Sequence, residues 1–173
     1  SSTRIREAIS AGDMETANIL LGYTFFFTGQ VVEGNKLGRS IGYPTANLAI
    51  TDPYKLMPAN GVYAVDVIAG DEQEKRLKGM MNIGFRPTVD GTKKTVEVNI
   101  FNFDRDIYGK SLKVFVKKFL RAEQRFSGLE ALKTQLEKDR KEAESVGNGI
   151  YGRQIKLPFT NNRAFRSVSQ SVP

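Results

Sequence analysis

The chain has 173 residues, 40% hydrophobic and 26% charged, with a formal net charge of +7. Those values suit one globular domain, alone or with appendages, and no apolar run is long enough to predict a membrane-spanning helix. It contains no cysteine and no histidine, which excludes disulfides, a Ser-His-Asp triad and His or Cys metal centres.

Acid–base work then falls to Asp, Glu, Lys or Tyr, and a protein-held metal must rest on oxygen ligands, as Mg²⁺ does. The absent cysteines fit a reducing, cytoplasmic compartment, and the polar N-terminus lacks a signal-peptide apolar region. Four cations (Arg153, Lys156, Arg163, Arg166) and no acid lie in 147–173, leaving a net +3 for the rest. No dense basic block with interleaved aromatics occurs in the body, so a small anion explains this surface as well as a polyanion, and neither nucleic acid nor membrane is the expected partner.

The first 22 residues read as two short helices. Ser1, Ser2 or Thr3 can cap the first, which carries Ile5, Ala8 and Ile9 on one face and ends at Gly12. Asp13 can cap the second, and Gly22 closes it. From Thr24 to about Leu120, β-rich runs alternate with Gly, Pro, Asn and Asp. They predict strands near 25–33, 45–50, 61–69, 77–84, 94–103 and 111–120. GDEQEK (70–75) and VDGTK (89–93) read as hairpin turns. Six short strands at this spacing predict a mainly β fold, a closed or nearly closed antiparallel barrel.

After Ser127, Leu129, Leu132, Leu136 and Ala143 mark one stripe of a helix, with the charges expected elsewhere. This helix is expected to cover one mouth or side of the barrel. From Val146 the pattern fails. The expected organisation is 1–22 helical, 23–146 barrel plus helix, and 147–173 a tail of no assigned role.

GNKLGRSIGYPTANL (34–48) holds Gly34, Gly38 and Gly42 with Lys36 and Arg39 between them. A helix-packing seam would place three glycines in one helix at about 1 kcal/mol each and then run into Pro44, which disfavours a helical Tyr43. A loop fits better. Glycines let backbone N–H groups approach phosphate oxygens, and the two cations supply charge. A plain surface loop is the alternative. Pro44 can open a strand, on which Thr45 and Asn47 project to one face and Ala46 and Leu48 to the other. Their neutral oxygens could complete a magnesium site with nucleotide phosphates and waters, or simply satisfy strand-end backbone groups.

With its Gly-rich loop followed by Pro-Thr-Ala-Asn, this segment resembles the riboflavin kinases. NIGFRPT (82–88), TVEVNIFNFDRDIYG (95–109) and FLRAEQRF (119–126) resemble the family's next blocks, in order, from about Tyr23 to Ala143. The resemblance implies a six-stranded Greek-key-type barrel with a C-terminal helix. It also implies transfer of the γ-phosphoryl of ATP to the riboflavin 5′-hydroxyl, with Mg²⁺ as cofactor. Thr45 and Asn47 would contact the metal and the nucleotide phosphates. Gly34, Lys36, Gly38, Arg39 and Gly42 would form the phosphate flap. Asn47, Glu97, Arg121, Glu123 and Phe126 would meet the flavin.

Glu97 matches the family's catalytic glutamate. It lies in VEVNIF, where Val96, Val98 and Ile100 share one face and Glu97, Asn99 and Phe101 the other. A glutamate can serve as base for an alcohol only as the O–P bond forms, and phosphoryl transfer asks mainly for positioning. The competing role is a cross-strand ion pair with Lys113 or Lys117. Asn99 departs from the family, which often has His there; it could still position by hydrogen bond. Arg86 either reaches phosphate or braces the NIGFRPT turn.

SSTRIRE (1–7) resembles the end of a motif in flavin adenylyltransferase modules, where Ser2, Thr3 and Arg6 would meet phosphates at a helix N-terminus. The expectation is a kinase part of a longer bifunctional enzyme, touching its adenylyltransferase module. The rival is a non-catalytic barrel that binds flavin, nucleotide or RNA.

Overall fold

The structure, a computed structural model, describes residues 2–34, 37–70 and 75–149. Its elements in order are α1 (Ser2–Ala11), α2 (Met14–Leu21), β1 (Phe26–Val32), α3 (Leu37–Ser40), β2 (Ala46–Ile50), β3 (Gly61–Ala69), β4 (Arg76–Thr88), β5 (Gly91–Ile100), β6 (Ser111–Arg121) and α4 (Leu129–Ser145). The six strands close into a barrel in the order β1-β2-β5-β4-β3-β6. Every neighbouring pair is antiparallel.

Strand alternation sorts the side chains. Val65, Val67, Met81, Ile83, Val98, Leu112, Val114 and Val116 fill the interior and are buried. A barrel of so few strands has room inside only for side chains. Ala8, Ile9, Met14 and Ala17 join that same cluster, so α1 and α2 pack on the barrel. Their boundaries follow the expected chemistry. The Asp13 carboxylate accepts from Thr16 N–H, and Gly22 takes the left-handed conformation (φ 79°) that ends α2.

Three features differ from the reading of the sequence. NIGFRPT is strand rather than turn: β4 and β5 pair out to Thr88 and Gly91, and only Val89 and Asp90 join them. Residues 101–103 leave the sheet, with Asn102 at φ 54°. The Asn102 turn is held by Arg140 of α4, whose Nη2 donates to Asn102 Oδ1 at 3.0 Å. The third difference is in α4. Leu129 is exposed, and a charge does fall on the apolar stripe, since Asp139 is only 1% exposed.

Helix α4 lies on the outside of the barrel and closes no mouth. Ala143 packs with Ala64, Met80 and Phe101 on the outer face. Lys78 Nζ donates to the carbonyls of Glu144 and Val146 at 3.2 and 3.4 Å, a cation placed at the negative end of the helix. The predicted GDEQEK turn falls largely on 71–74, outside the described residues, although β3 and β4 pair on either side of it. Most of the 147–173 tail also lies outside them.

Candidate functional site

Two adjoining cavities meet at Thr45: the larger reaches the inward-facing Val31, Val98 and Ile100, and the smaller lies on the outer face beside α4. The larger, about 750 Å³, is bordered by Gly34, Arg39, Thr45, Asn47 and the 103–108 segment. The smaller, about 310 Å³, is bordered by Gly38, Thr45, Asn82, Glu97, Arg121, Glu123 and Phe126, with Leu132 and Leu136 of α4. Thr45 borders both.

Strand register builds the floor. Asn47 on β2 lies opposite Glu97 on β5, and Glu97 lies opposite Asn82 on β4. Asn82 pairs with Val62 on β3, and Val62 with Arg121 on β6. One row around the barrel therefore carries Asn47, Glu97, Asn82, Val62 and Arg121. Because register is fixed by the buried apolar set on the other face, a one-residue slip would turn Glu97 into the core.

The glycine loop forms one wall. It is not a helical seam, but it contains the single turn α3. Gly42 adopts φ 85°, and Tyr43 N–H donates to Gly38 O at 2.7 Å, tying the loop to itself. Gly34 lies directly on the Asn47 carboxamide, in space a Cβ would need. Asn99, 6% exposed, donates from Nδ2 to Pro44 O at 2.7 Å, fixing the carbonyl before Thr45. It thus keeps a positioning contact of the kind expected for an asparagine at this place.

Arg39 borders the larger cavity and Gly38 the smaller, while Gly42 borders neither. Lys36 lies outside the described residues.

Glu97 is half-buried, and its partners are not the lysines considered from sequence. Lys117 is buried against Asp66 at 2.8 Å, and Lys113 lies over the rings of Phe26 and Phe115. Burial pushes the Glu97 carboxyl above its ordinary value, the Arg86 charge opposes that, and the Glu123 charge adds to it. A carboxylate kept partly desolvated in a cleft is suited to proton transfer. Arg86, on strand rather than in a turn, therefore acts on Glu97 through its field.

The opposite wall is held by charge. Arg121 donates from Nε to Asp139 Oδ1 at 2.9 Å and from Nη2 to Oδ2 at 2.8 Å. Its Nη1 donates to Ala122 O at 3.1 Å. Gln135 donates to Asp139 Oδ1 at 2.9 Å. The Arg121 guanidinium lies 5.7 Å from the centre of the Phe126 ring. Glu123 rests on Gly84, whose lack of a side chain makes room for it.

The structure thus brings Thr45, Asn47, Glu97, Arg121, Glu123 and Phe126 to one site. Reasoning from sequence missed Asn82 and Asp139. Asn82 opens the NIGFRPT block, and Asp139 is an acid at the spacing of the Leu132–Leu136–Ala143 stripe; both signals were present.

Among the described residues, no cluster of three or more acids, His or Cys could hold a metal. The hard neutral oxygens of Thr45 and Asn47, beside the larger cavity, fit a magnesium ion that takes its other ligands from phosphate and water.

Fold and site define a small closed barrel with two adjoining cavities, one bordered by neutral oxygen donors and the other by a partly buried carboxylate and an aromatic. A family model described as "Flavokinase: Riboflavin kinase" matches residues 21–147. The chain belongs to the riboflavin kinase family.

It is 41% identical over 146 residues to the bifunctional riboflavin kinase/FMN adenylyltransferase of Bacillus subtilis, covering 83% of this chain and 45% of that protein. It is 42% identical over 139 residues to the Escherichia coli K12 protein of the same name, covering 80% and 43%. The chain thus spans a little under half the length of these relatives. A crystal structure described as a macrolide-efflux protein from Streptococcus pneumoniae matches with TM-score 0.79 and 41% identity, over 85% of this chain and 47% of that one. Efflux belongs to that description alone; among the described residues no helix is long and apolar enough to cross a membrane.

Proposed function

We propose that this chain transfers the γ-phosphoryl of ATP to the 5′-hydroxyl of riboflavin, giving FMN and ADP. The observation that carries the reading is the junction of the two cavities at Thr45, with Asn47 and Glu97 opposite each other across β2 and β5. The larger cavity takes the nucleotide beneath the Gly34–Gly42 loop, where Arg39 adds charge. The smaller takes the flavin between the barrel wall, Phe126 and α4. Their volumes fall within the usual range of small-molecule sites, about 300–1,000 Å³.

Glu97 accepts the hydroxyl proton as the new O–P bond forms, and its raised proton affinity suits that role. Thr45 and Asn47 would hold Mg²⁺; when bound, the ion neutralises charge on the phosphates. Asn99 keeps Thr45 in place through Pro44. Part of the same reading is a cytoplasmic enzyme whose exposed Ser2, Thr3 and Arg6 on α1 face an adenylyltransferase module of the kind named in its relatives. In that organisation residues 1–22 belong with the join and 23–146 with the kinase.

The test is direct: incubate the protein with riboflavin and MgATP, and follow FMN by chromatography. Production of FMN that stops when ATP or Mg²⁺ is withheld is the expected result. Riboflavin or RNA binding without any FMN would overturn the reading in favour of a binding barrel.

A further inference from the structure

Asp139 is almost fully buried on the face of α4 that packs on the barrel, with Leu136 and Ala143 as stripe neighbours. A buried ion pair seldom stabilises a fold better than two apolar side chains of similar volume would. Its placement here is directional. The carboxylate grips Nε and Nη2 of Arg121 in a fork, Gln135 fixes the carboxylate, and the Ala122 carbonyl takes Nη1. Arg121 is the last residue of β6, and the 122–128 segment that follows carries Glu123 and Phe126 to the rim of the smaller cavity. The guanidinium plane is therefore set by two groups, the Asp139 carboxylate from the helix and the Ala122 carbonyl from the backbone. Its charge is cancelled, so that it offers a flat polar surface beside the Phe126 ring.

We propose that Asp139 is a positioning residue for the flavin ring, holding Arg121 and, through it, the Phe126 segment in the orientation that receives an uncharged aromatic heterocycle. This rests on the reading that riboflavin occupies the smaller cavity. The larger cavity has no wall in α4, so nucleotide affinity should not depend on Asp139.

The experiment measures riboflavin affinity by quenching of flavin fluorescence, together with kcat and both KM values, for the wild type, Asp139→Asn and the double variant Arg121→Met/Asp139→Leu. Asp139→Asn keeps the shape but turns one acceptor into a donor facing Arg121. Its riboflavin Kd and KM are expected to rise about tenfold, while kcat at saturation and KM for MgATP stay within about twofold. The double variant replaces the pair by apolar groups; it is expected to recover thermal stability but not flavin affinity.

Equal loss for both substrates in Asp139→Asn, or return of flavin affinity along with stability in the double variant, would reduce the pair to a structural element and overturn the inference. Wild-type protein that binds riboflavin, with an unchanged Kd in Asp139→Asn, overturns the inference alone. Wild-type protein that binds no riboflavin overturns the functional reading and the inference with it.

Discussion

The two faces of β5 have the same alternating backbone and opposite surroundings. Val96, Val98 and Ile100 point into the barrel, among the apolar side chains of the other strands and of α1 and α2. Glu97, Asn99 and Phe101 point outward, and what covers them is not sheet. Phe101 lies under Ala143 of α4, Asn99 holds the Pro44 carbonyl, and Glu97 borders an open cavity. The inner face is packed with side chains, except where Val31, Ala46, Val98 and Ile100 border the larger cavity. The outer face is covered by a helix and loops, which leave space between themselves and the wall. The proposed chemistry uses the outward-facing Glu97, and the packed interior is what holds the register that sets Glu97 between Asn47 and Asn82.

The sharpest way to test that division is to change neighbouring residues on the two faces. Glu97→Gln keeps size and hydrogen bonding but removes the proposed base, and kcat should fall by about 10²–10⁴. Riboflavin binding should be largely retained, because Asn82, Phe126 and α4 still form the pocket. Turnover equal to wild type would remove Glu97 from the chemistry. Val96→Ala, one residue back and bordering neither cavity, should act in the opposite way: about 2 kcal/mol of stability lost to the cavity it leaves, read by denaturant unfolding. Where the variant is folded, kcat should stay close to wild type. A loss of turnover without a loss of stability would mean that the inner face is not merely structural.

That division also explains what the sequence could and could not reveal. Alternation in VEVNIF separates Val from Glu, yet it does not say which side is the inside, because both faces of β5 are covered over residues 96–100. The strands were legible since turn residues and β-branched runs bound each of them. The hairpin at 89–90 ran longer than expected because Arg86, Thr92 and Lys93 are exposed and polar, a pattern that reads as loop until pairing with the neighbour is known. Asp139 was passed over for the converse reason. A helix stripe is identified by its apolar members, and an acid among them makes sense only when an arginine from a strand 18 residues earlier is seen to meet it. Thr45, Asn47 and Glu97 were found through motif blocks. Their proximity depends on β2 pairing with β5, a contact between distant segments that no local pattern encodes.

The glycine loop offers a smaller perturbation of the outer face. A Cβ at Gly34 would collide with the Asn47 carboxamide, so Gly34→Ala must displace either the loop or the proposed metal ligand. The expected outcome is a rise of about tenfold in KM for MgATP with unchanged riboflavin affinity, since the flavin pocket does not include Gly34. Isothermal titration with MgATP and with riboflavin separates the two. A variant that weakens both ligands equally would place the loop over the whole site rather than over the nucleotide.

The smallest expected effect has the most diagnostic sign. Burial raises the proton affinity of Glu97 in the folded protein above that of the exposed unfolded chain. Between the two pKa values the folded state binds more protons than the unfolded one. Stability therefore falls as pH rises from the ordinary carboxylate value of 4.5 through the raised one, and at neutral pH the ionised group is a burden on the fold. Glu97→Gln should consequently melt a few degrees above wild type at pH 7.5. That advantage should vanish below about pH 4, where Glu97 is protonated in both states. Calorimetric scans across this range would show it. Val96→Ala, by contrast, should lose the same stability at every pH, because no proton is linked to the cavity it leaves. If Glu97→Gln were less stable than wild type at neutral pH, the attraction of Arg86 would outweigh burial. The outer face would then favour the carboxylate as a structural partner, which is the one arrangement a proton-accepting role does not predict.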